Sequence, residues 1–282
     1  MRAIPLVASV QDLSGFGRCS LSAAIPILSA MGMQVCPLPT ALLSNHTGYP
    51  SYFFEDFTEQ MRAYADEWKK LDLQFEAICT GFLGNEKQVE ILHGFIERFR
   101  QEHTVVLIDP AMADHGERYA TCTPALCEEM KRLVALGTVI TPNVTEACLL
   151  TDTDYYALEG LAPDAYFERI GEIGRKLLGL GAGQVVITGA VAGGRVHNVV
   201  LESASGAPTV LSSKLVTPCY AGTGDVFASL VCGCLVRGDS LQEAVSFAGD
   251  FVSKVTAFTK EKGAATTDGI IFEPFLSELW KG

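Results

Sequence analysis

Short apolar runs that end in a polar residue and a turn, each followed by a segment with helical spacing, recur along this chain and constrain its fold more than any other feature. Ile4 to Val10 passes through Gln11-Asp12 and a Gly15-x-Gly17 turn to Leu21, Ala24, Ile25 and Leu28 at helical spacing. Ala77-Ile78-Cys79-Thr80-Gly81 precedes Val89, Leu92, Phe95, Ile96 and Phe99 on one helical face, and Val105 to Asp109 follows. Thr138-Val139-Ile140 then enters Thr141-Pro142-Asn143, and a helix through Phe167, Ile170, Ile173 and Leu177 leads to Val185-Val186-Ile187-Thr188. Short β segments flank a hairpin turn at Gly193-Gly194 and include Thr209-Val210-Leu211, and helices over Asp225 to Val236 and Leu241 to Phe258 close the pattern. Repeated β-α-β units build parallel sheets. The expected fold class is therefore α/β, a three-layer α/β/α arrangement with a central, mostly parallel sheet. With no Pro-, Ser- or Gly-rich linker, no block of like charge and no repeat period, residues 1–282 are expected to form a single domain.

Composition narrows the class. Of 282 residues, 48% are hydrophobic and 19% charged, enough apolar material for a large core. The formal charge of −12 argues against a nucleic-acid partner, which needs clustered Lys and Arg. An anionic ligand must instead meet backbone N–H groups at helix starts. The nine cysteines contain no Cys-x-x-Cys, so they read as reduced core thiols rather than a zinc site. Met1 to Val10 is too short an apolar run for a secretory signal, no stretch approaches membrane-spanning length, and the cytoplasm is the expected compartment.

In open α/β sheets ligands sit beyond the carboxyl ends of the strands. The polar residues ending the apolar runs, Asp12, Thr80, Asp109, Asn143 and Thr188, are thus expected along one sheet edge. Gly222-Thr223-Gly224 opens an apolar helix, so its backbone can approach an anion and present free N–H groups. Asp225, kept ionised there by the helix dipole, is placed to accept a proton from a hydroxyl attacking a γ-phosphate. The same four residues would also make an ordinary helix cap. Asn143 and Glu146 share a helical face and could hold Mg²⁺ through waters, or could form a capping box. Asp109-Pro110 offers a carboxylate for magnesium, or simply a loop opening, and the polar segment through Asp114 to Thr123 is long enough to act as a flap. Ser44-Asn45-His46-Thr47-Gly48-Tyr49 combines donors, acceptors and an aromatic face suited to a polar aromatic ligand, with His46 in a positioning role. No Gly-x-x-x-x-Gly-Lys-Ser/Thr phosphate loop occurs, and Gly15-x-Gly17 lacks the third glycine of a dinucleotide fingerprint.

Taken in order and spacing, Ser44 to Tyr49, Asp109-Pro110 with Asp114, Thr141-Pro142-Asn143 with Glu146, Val185 to Thr188 and Gly222-Thr223-Gly224-Asp225 resemble the pyridoxal kinase family of the ribokinase-like superfamily, over nearly the whole chain. The resemblance implies transfer of the ATP γ-phosphate to the 5′-hydroxymethyl of pyridoxal, pyridoxine or pyridoxamine, with Mg²⁺ and often a monovalent cation, in an enzyme that is often a homodimer. It implies Asp225 as base and Gly222, Thr223 and Gly224 as the phosphate hole. Asn143 and Glu146 would organise magnesium and triphosphate, Asp109 and Thr188 would line the cation and phosphate region, and Thr47 and Phe82 would contact the ring. One departure stands out: Asp12 occupies the place of a family serine that touches the ring's polar substituents. A carboxylate there favours a protonated ring nitrogen or an amine, hence pyridoxamine or an aminopyrimidine. Hydroxymethylpyrimidine or phosphomethylpyrimidine kinase is the neighbouring alternative, and a non-catalytic B6-binding module the alternative from another class.

Overall fold

The computed structural model describes residues 4–280. The ends of the expected 1–282 domain, residues 1–3 and 281–282, lie outside the described residues, as does the start of the Met1 to Val10 segment. Among the described residues eleven strands are present: β1 Leu6–Ser14, β2 Gln34–Leu43, β3 Phe54–Asp56, β4 Ala77–Thr80, β5 Val105–Ile108, β6 Ala113–Asp114, β7 Glu117–Arg118, β8 Val139–Ile140, β9 Val185–Ala192, β10 Arg195–Leu201 and β11 Thr209–Lys214. The helices are α1 Ser20–Ala30, α2 Thr58–Lys70, α3 Glu86–Phe99, α4 Pro124–Val134, α5 Val144–Leu150, α6 Pro163–Gly179, α7 Thr223–Val236 and α8 Leu241–Glu261. Nine strands form one sheet in the order β11-β10-β9-β8-β5-β4-β1-β2-β3. From β9 to β2 neighbouring strands run parallel, and β3, β10 and β11 add antiparallel edges. This is the expected ribokinase-like α/β/α architecture.

The two-residue period of the strands sorts side chains onto two cores. Leu6, Ala8 and Val10 of β1, Ile78 of β4 and Val106 and Ile108 of β5 face the layer of α2 to α6. Val7, Ala77, Cys79 and Leu107 face α1, α7 and α8. Helix α7 is buried from Val226 to Cys234, which explains its apolar sequence on every face. Helices α3, α4 and α8 begin on side-chain caps: Asn85 accepts from Gln88 N–H, Thr123 accepts from Leu126 N–H ahead of Pro124, and Ser240 with Glu243 forms a capping box. All nine cysteines are free and eight are buried, as expected of reduced core thiols. Among the described residues no helix is long and apolar enough to cross a membrane.

The polar pair Gln11-Asp12 does not end the first strand. Strand β1 continues to Ser14, and its register against β2 shifts between Gln11 and Leu13, where Asp12 faces the two residues Thr40 and Ala41. The strand tolerates these side chains because they bond to one another: Gln11 Nε2 donates to Ser9 Oγ at 2.9 Å, and Ser14 Oγ to Asp12 Oδ2 at 2.8 Å.

An aromatic cluster anchors the α2–α3 side. Phe75 is fully buried, with ring centroids 5.6 Å from Trp68 and 5.5 Å from Phe99. Phe75→Ala should cost about 3–5 kcal/mol. Urea denaturation would read this as a lower midpoint with an unchanged slope; a loss below about 1 kcal/mol would show that the cluster repacks around the void.

Candidate active site

Parallel register carries the polar strand ends to one edge. Crossing the sheet, the edge presents Thr188 after β9, Thr141 and Asn143 after β8, Asp109 after β5, Thr80 and Phe82 at β4, Asp12 in β1 and the loop from Ser44 after β2. Asn143 and Thr188 form a parallel bridge, and Thr188 N–H donates to Pro142 O at 2.9 Å. The start of α7 lies under this row, since α7 packs on β4 and β5.

The anion loop has the geometry of a phosphate cradle. Gly222 is the N-cap of α7, in the left-handed region at φ 75°, and no side chain caps the helix. The helix-cap alternative for this segment is thus not realised through a side chain, and the N–H groups of the first turn are left for a ligand. A Cβ at Gly222 would lie 1.7 Å from the Arg18 carbonyl oxygen, so only glycine fits. A Cβ at Gly224 would meet open space, which is where an anion can enter.

Asp225 is half-buried at the first turn of α7. Burial pushes its carboxyl up to about 6, the Ser20 and Asp225 N–H groups pull it down, and the Asp12 charge raises it further. Burial thus outweighs the donors at the helix start, yet a carboxyl at about 6 is still mostly ionised at neutral pH. Asp12, 5% exposed, is also raised by burial, against the hydroxyls of Ser20 and Ser14, which favour its charged form.

Glu146 and Asn143 do form the capping box. Asn143 Oδ1 accepts from Glu146 N–H at 2.9 Å, and Glu146 Oε2 accepts from Asn143 N–H at 2.8 Å. The same two residues also hold the base of the flap. Met112 N–H donates to Glu146 Oε1 at 3.0 Å and Asn143 Nδ2 donates to Ala113 O at 2.7 Å. The segment expected to act as a flap, Asp114 to Thr123, overlaps the β6–β7 hairpin, whose Gly116 N–H donates to Thr145 Oγ1 at 3.0 Å. Burial raises Glu146 to about 8 despite the N–H groups that oppose it, and Asp109 is held well above the carboxylate range by burial and by Glu146 and Asp225. Beside them the hydroxyls of Thr80 and Thr141 are buried without a hydrogen-bond partner. Among the described residues no group of three or more His, Cys, Asp or Glu is arranged to hold a metal by protein ligands alone.

The ring-contacting candidates divide. Phe82 is half-buried, and its carbonyl accepts from Thr40 Oγ1 at 2.9 Å. Thr47 is exposed at the loop surface. His46 is turned into the protein: its Nδ1 accepts from Gly48 N–H at 3.1 Å and its Nε2 bonds Thr267 O at 2.7 Å, which puts the proton on Nε2. Tyr49 Oη donates to Asp268 Oδ1 at 2.8 Å, and Arg18 pairs with Glu273 at 2.6 Å. The segment from Thr266 to Asp268 thus clasps the 44–49 loop, a partner that only its polar clustering after α8 hinted at. Ser14 and Ser20 beside Asp12 are absent from the sequence reading, although the two-residue spacing of Asp12 and Ser14 marks those two as sharing a strand face.

Comparison with known proteins agrees with this geometry. Residues 21–268 match the phosphomethylpyrimidine kinase family profile. A pyridoxal kinase from Rubrobacter xylanophilus is 28% identical over 271 residues, 92% of this chain and 89% of that protein. A candidate phosphomethylpyrimidine kinase from Bacteroides thetaiotaomicron superposes with a TM-score of 0.93 at 38% identity, covering 99% of this chain and 94% of the other. A second crystal form of that protein, solved with pyridoxal, gives a TM-score of 0.89. The pyridoxal kinase from Lactobacillus plantarum gives 0.88 at 26% identity, over 98% of this chain and 97% of that one. The chain is similar to pyridoxal kinases and belongs to the phosphomethylpyrimidine kinase family, ribokinase-like enzymes that transfer phosphate from ATP to an alcohol.

Proposed function

We propose that this enzyme phosphorylates the 5′-hydroxymethyl group of a B6 vitamer, with pyridoxamine preferred to pyridoxal. The observation that carries the reading is the pairing of two carboxylates: Asp225 at the uncapped start of α7, and Asp12 buried in the neighbouring strand end. Asp225 accepts the hydroxymethyl proton as the oxygen attacks, and the free N–H groups from Gly222 to Gly224 receive the transferring phosphoryl oxygens. Asp12 pairs with a cationic group on the ring, a protonated ring nitrogen or the amine of pyridoxamine. Phe82 and Thr47 flank the ring, and His46 sets the loop that carries Thr47. The pyridoxal seen with the Bacteroides protein supports a pyridine substrate.

The acidic edge suits cations. Glu146 and Asp225 raise the proton affinity of Asp109, and a divalent ion there would reverse that effect. Asp109 would hold Mg²⁺ directly or through water. Glu146, whose oxygens already accept backbone N–H groups, would do so through water, with Asn143 and Thr188 directed at the triphosphate. When bound, Mg²⁺ neutralises charge on the phosphate oxygens. The unpartnered hydroxyls of Thr80 and Thr141 beside Asp109 fit an ordered water or a monovalent cation.

A pyrimidine substrate is the second reading, favoured by the phosphomethylpyrimidine kinase profile and by the suitability of Asp12 for an aminopyrimidine. ATP turnover with pyridoxal, pyridoxine, pyridoxamine and 4-amino-5-hydroxymethyl-2-methylpyrimidine decides between them: the highest kcat/KM is expected for pyridoxamine, and turnover of the pyrimidine alone would overturn the B6 assignment. Replacing the ring-facing carboxylate by Asp12→Ser should lower the pyridoxamine to pyridoxal ratio of kcat/KM by about tenfold, the worth of one charge-assisted bond, and an unchanged ratio would remove Asp12 from substrate selection.

Asp225→Ala should lose most of kcat while ligand binding remains measurable; retained turnover would exclude Asp225 as base. The pH profile follows from the raised carboxyl. The base works only when ionised, so kcat/KM should fall as pH drops below about 6. Stability runs the other way: a carboxyl raised on folding favours the folded state at low pH and loses that contribution as pH rises through about 6. Asp225→Asn should accordingly melt at a higher temperature than the parent at pH 8, with the difference vanishing near pH 4; equal melting temperatures at both would show that burial does not penalise the charge.

A further inference from the structure

Gln88, in the first turn of α3, is fully buried, and a primary amide away from water is retained only when its hydrogen bonds are made. Its Oε1 accepts from Gly84 N–H at 2.8 Å, and its Nε2 donates to Thr40 O at 2.8 Å and to Thr58 Oγ1 at 2.9 Å. Only an acceptor can face the Gly84 N–H and only a donor the Thr40 carbonyl, so the amide has a single orientation. Thr40, also fully buried in β2, makes a second connection to the same loop: its hydroxyl donates to Phe82 O at 2.9 Å. The loop from Gly81 to Gly84 is therefore tied to one residue of β2 at two points, directly at Phe82 and through Gln88 at Gly84. Its other side rests on β1, where Gly81 N–H donates to Val10 O at 3.1 Å and a Cβ on Gly81 would lie 2.5 Å from Gln11 Oε1. Thr40 is also one of the two residues that face Asp12 where the register of β1 against β2 shifts.

We propose that Thr40 is a positioning residue for the substrate ring: its hydroxyl fixes the main chain at Phe82, and with it the Phe82 side chain, next to the strand end that carries Asp12. The inference rests on the role assigned above to Phe82 as a flank of the ring site. Strand β4 ends at Thr80 and α3 begins at Glu86, so the Phe82 carbonyl lies outside both ladders and takes its donor from a side chain instead. Without the hydroxyl the loop stays held at Gly84 while its peptide at Phe82 is free to turn. An aromatic flank stabilises a bound ring by close contact, and a gap of about half an ångström already forfeits much of that attraction. The effect falls on the ring and not on ATP, because the Asn143–Glu146 box is held by its own bonds and the start of α7 by its fit against Arg18.

Thr40→Val tests this, because valine keeps the shape of the side chain and the main-chain carbonyl that serves Gln88 and removes only the hydroxyl. The KM for pyridoxamine should rise about tenfold, the scale of one hydrogen bond whose buried acceptor is left unpaired, while kcat and the KM for ATP stay within about twofold of the parent. Thr40→Ser restores the donor and should return the KM for pyridoxamine to near the parent value. Phe82→Ala should raise the same KM, and Thr40→Val added to Phe82→Ala should raise it no further, since the hydroxyl then has no side chain to place. If the valine variant fails to fold, Thr40→Ala compared with Thr40→Ser isolates the hydroxyl. An unchanged KM for pyridoxamine, an equal rise in the KM for ATP, no rescue by serine, or full additivity with Phe82→Ala would overturn the role of Thr40. A parental KM for pyridoxamine in Phe82→Ala, or a parent enzyme inactive on every B6 vitamer, would instead overturn the functional reading on which that role depends.

Discussion

The approach of the Gly222 α-carbon to the Arg18 carbonyl leaves no space for a β-carbon, and that contact sets where α7 begins relative to α1. Both helices lie on the same side of the sheet and both start at its carboxyl edge. Because the two starts touch, the free N–H groups of α7, the N–H of Ser20 and the carboxylate of Asp225 fall within one small volume. A larger residue at 222 would push the helices apart and separate the anion hole from the strand that carries Asp12. The mutual fit of two helix ends, rather than any single hydrogen bond, is what brings Asp225, the uncapped start of α7 and Asp12 together.

A second constraint acts across the sheet. Glu146 is deeply buried, 3% exposed, and its oxygens are bonded to main-chain donors of both α5 and the flap. A carboxylate in that position is retained because backbone N–H groups compensate its desolvation. The capping role and the proposed role beside the phosphates are therefore not competing explanations. The cap orients the carboxylate, and the orientation places it next to Asp109.

Much of this was legible in the sequence, and the exceptions share a physical cause. Strand and helix periods located the layers because each face of the sheet is covered and must be apolar. The strand-end rule gathered Asp109, Asn143, Thr188 and Asp12 at one edge because parallel strands leave no other arrangement. Asp12 was misplaced by a short distance: a polar pair reads as a strand end unless its partners, here Ser9 and Ser14, are recognised as satisfying it. Ser20 left no trace, since left-handed backbone is legible at glycine and silent at serine. The raised proton affinity of Asp225 comes from burial, a property of the whole packed site that a local window does not contain. The clasp by Thr267 and Asp268 joins segments too distant for any local pattern to connect.

That clasp bears on how the molecule comes into being. The bond from His46 to Thr267 spans 221 residues, and its neighbours Tyr49 to Asp268 and Arg18 to Glu273 span comparable stretches. Contacts of such sequence separation form late, after the intervening chain has paid its ordering entropy. During synthesis the loop at 44–49 leaves the ribosome early and waits, without its partner, until α8 and the segment after it have emerged. The 44–49 loop is thus set late, and a chain truncated before Thr266 keeps the strands of its sheet while lacking the residues that hold this loop.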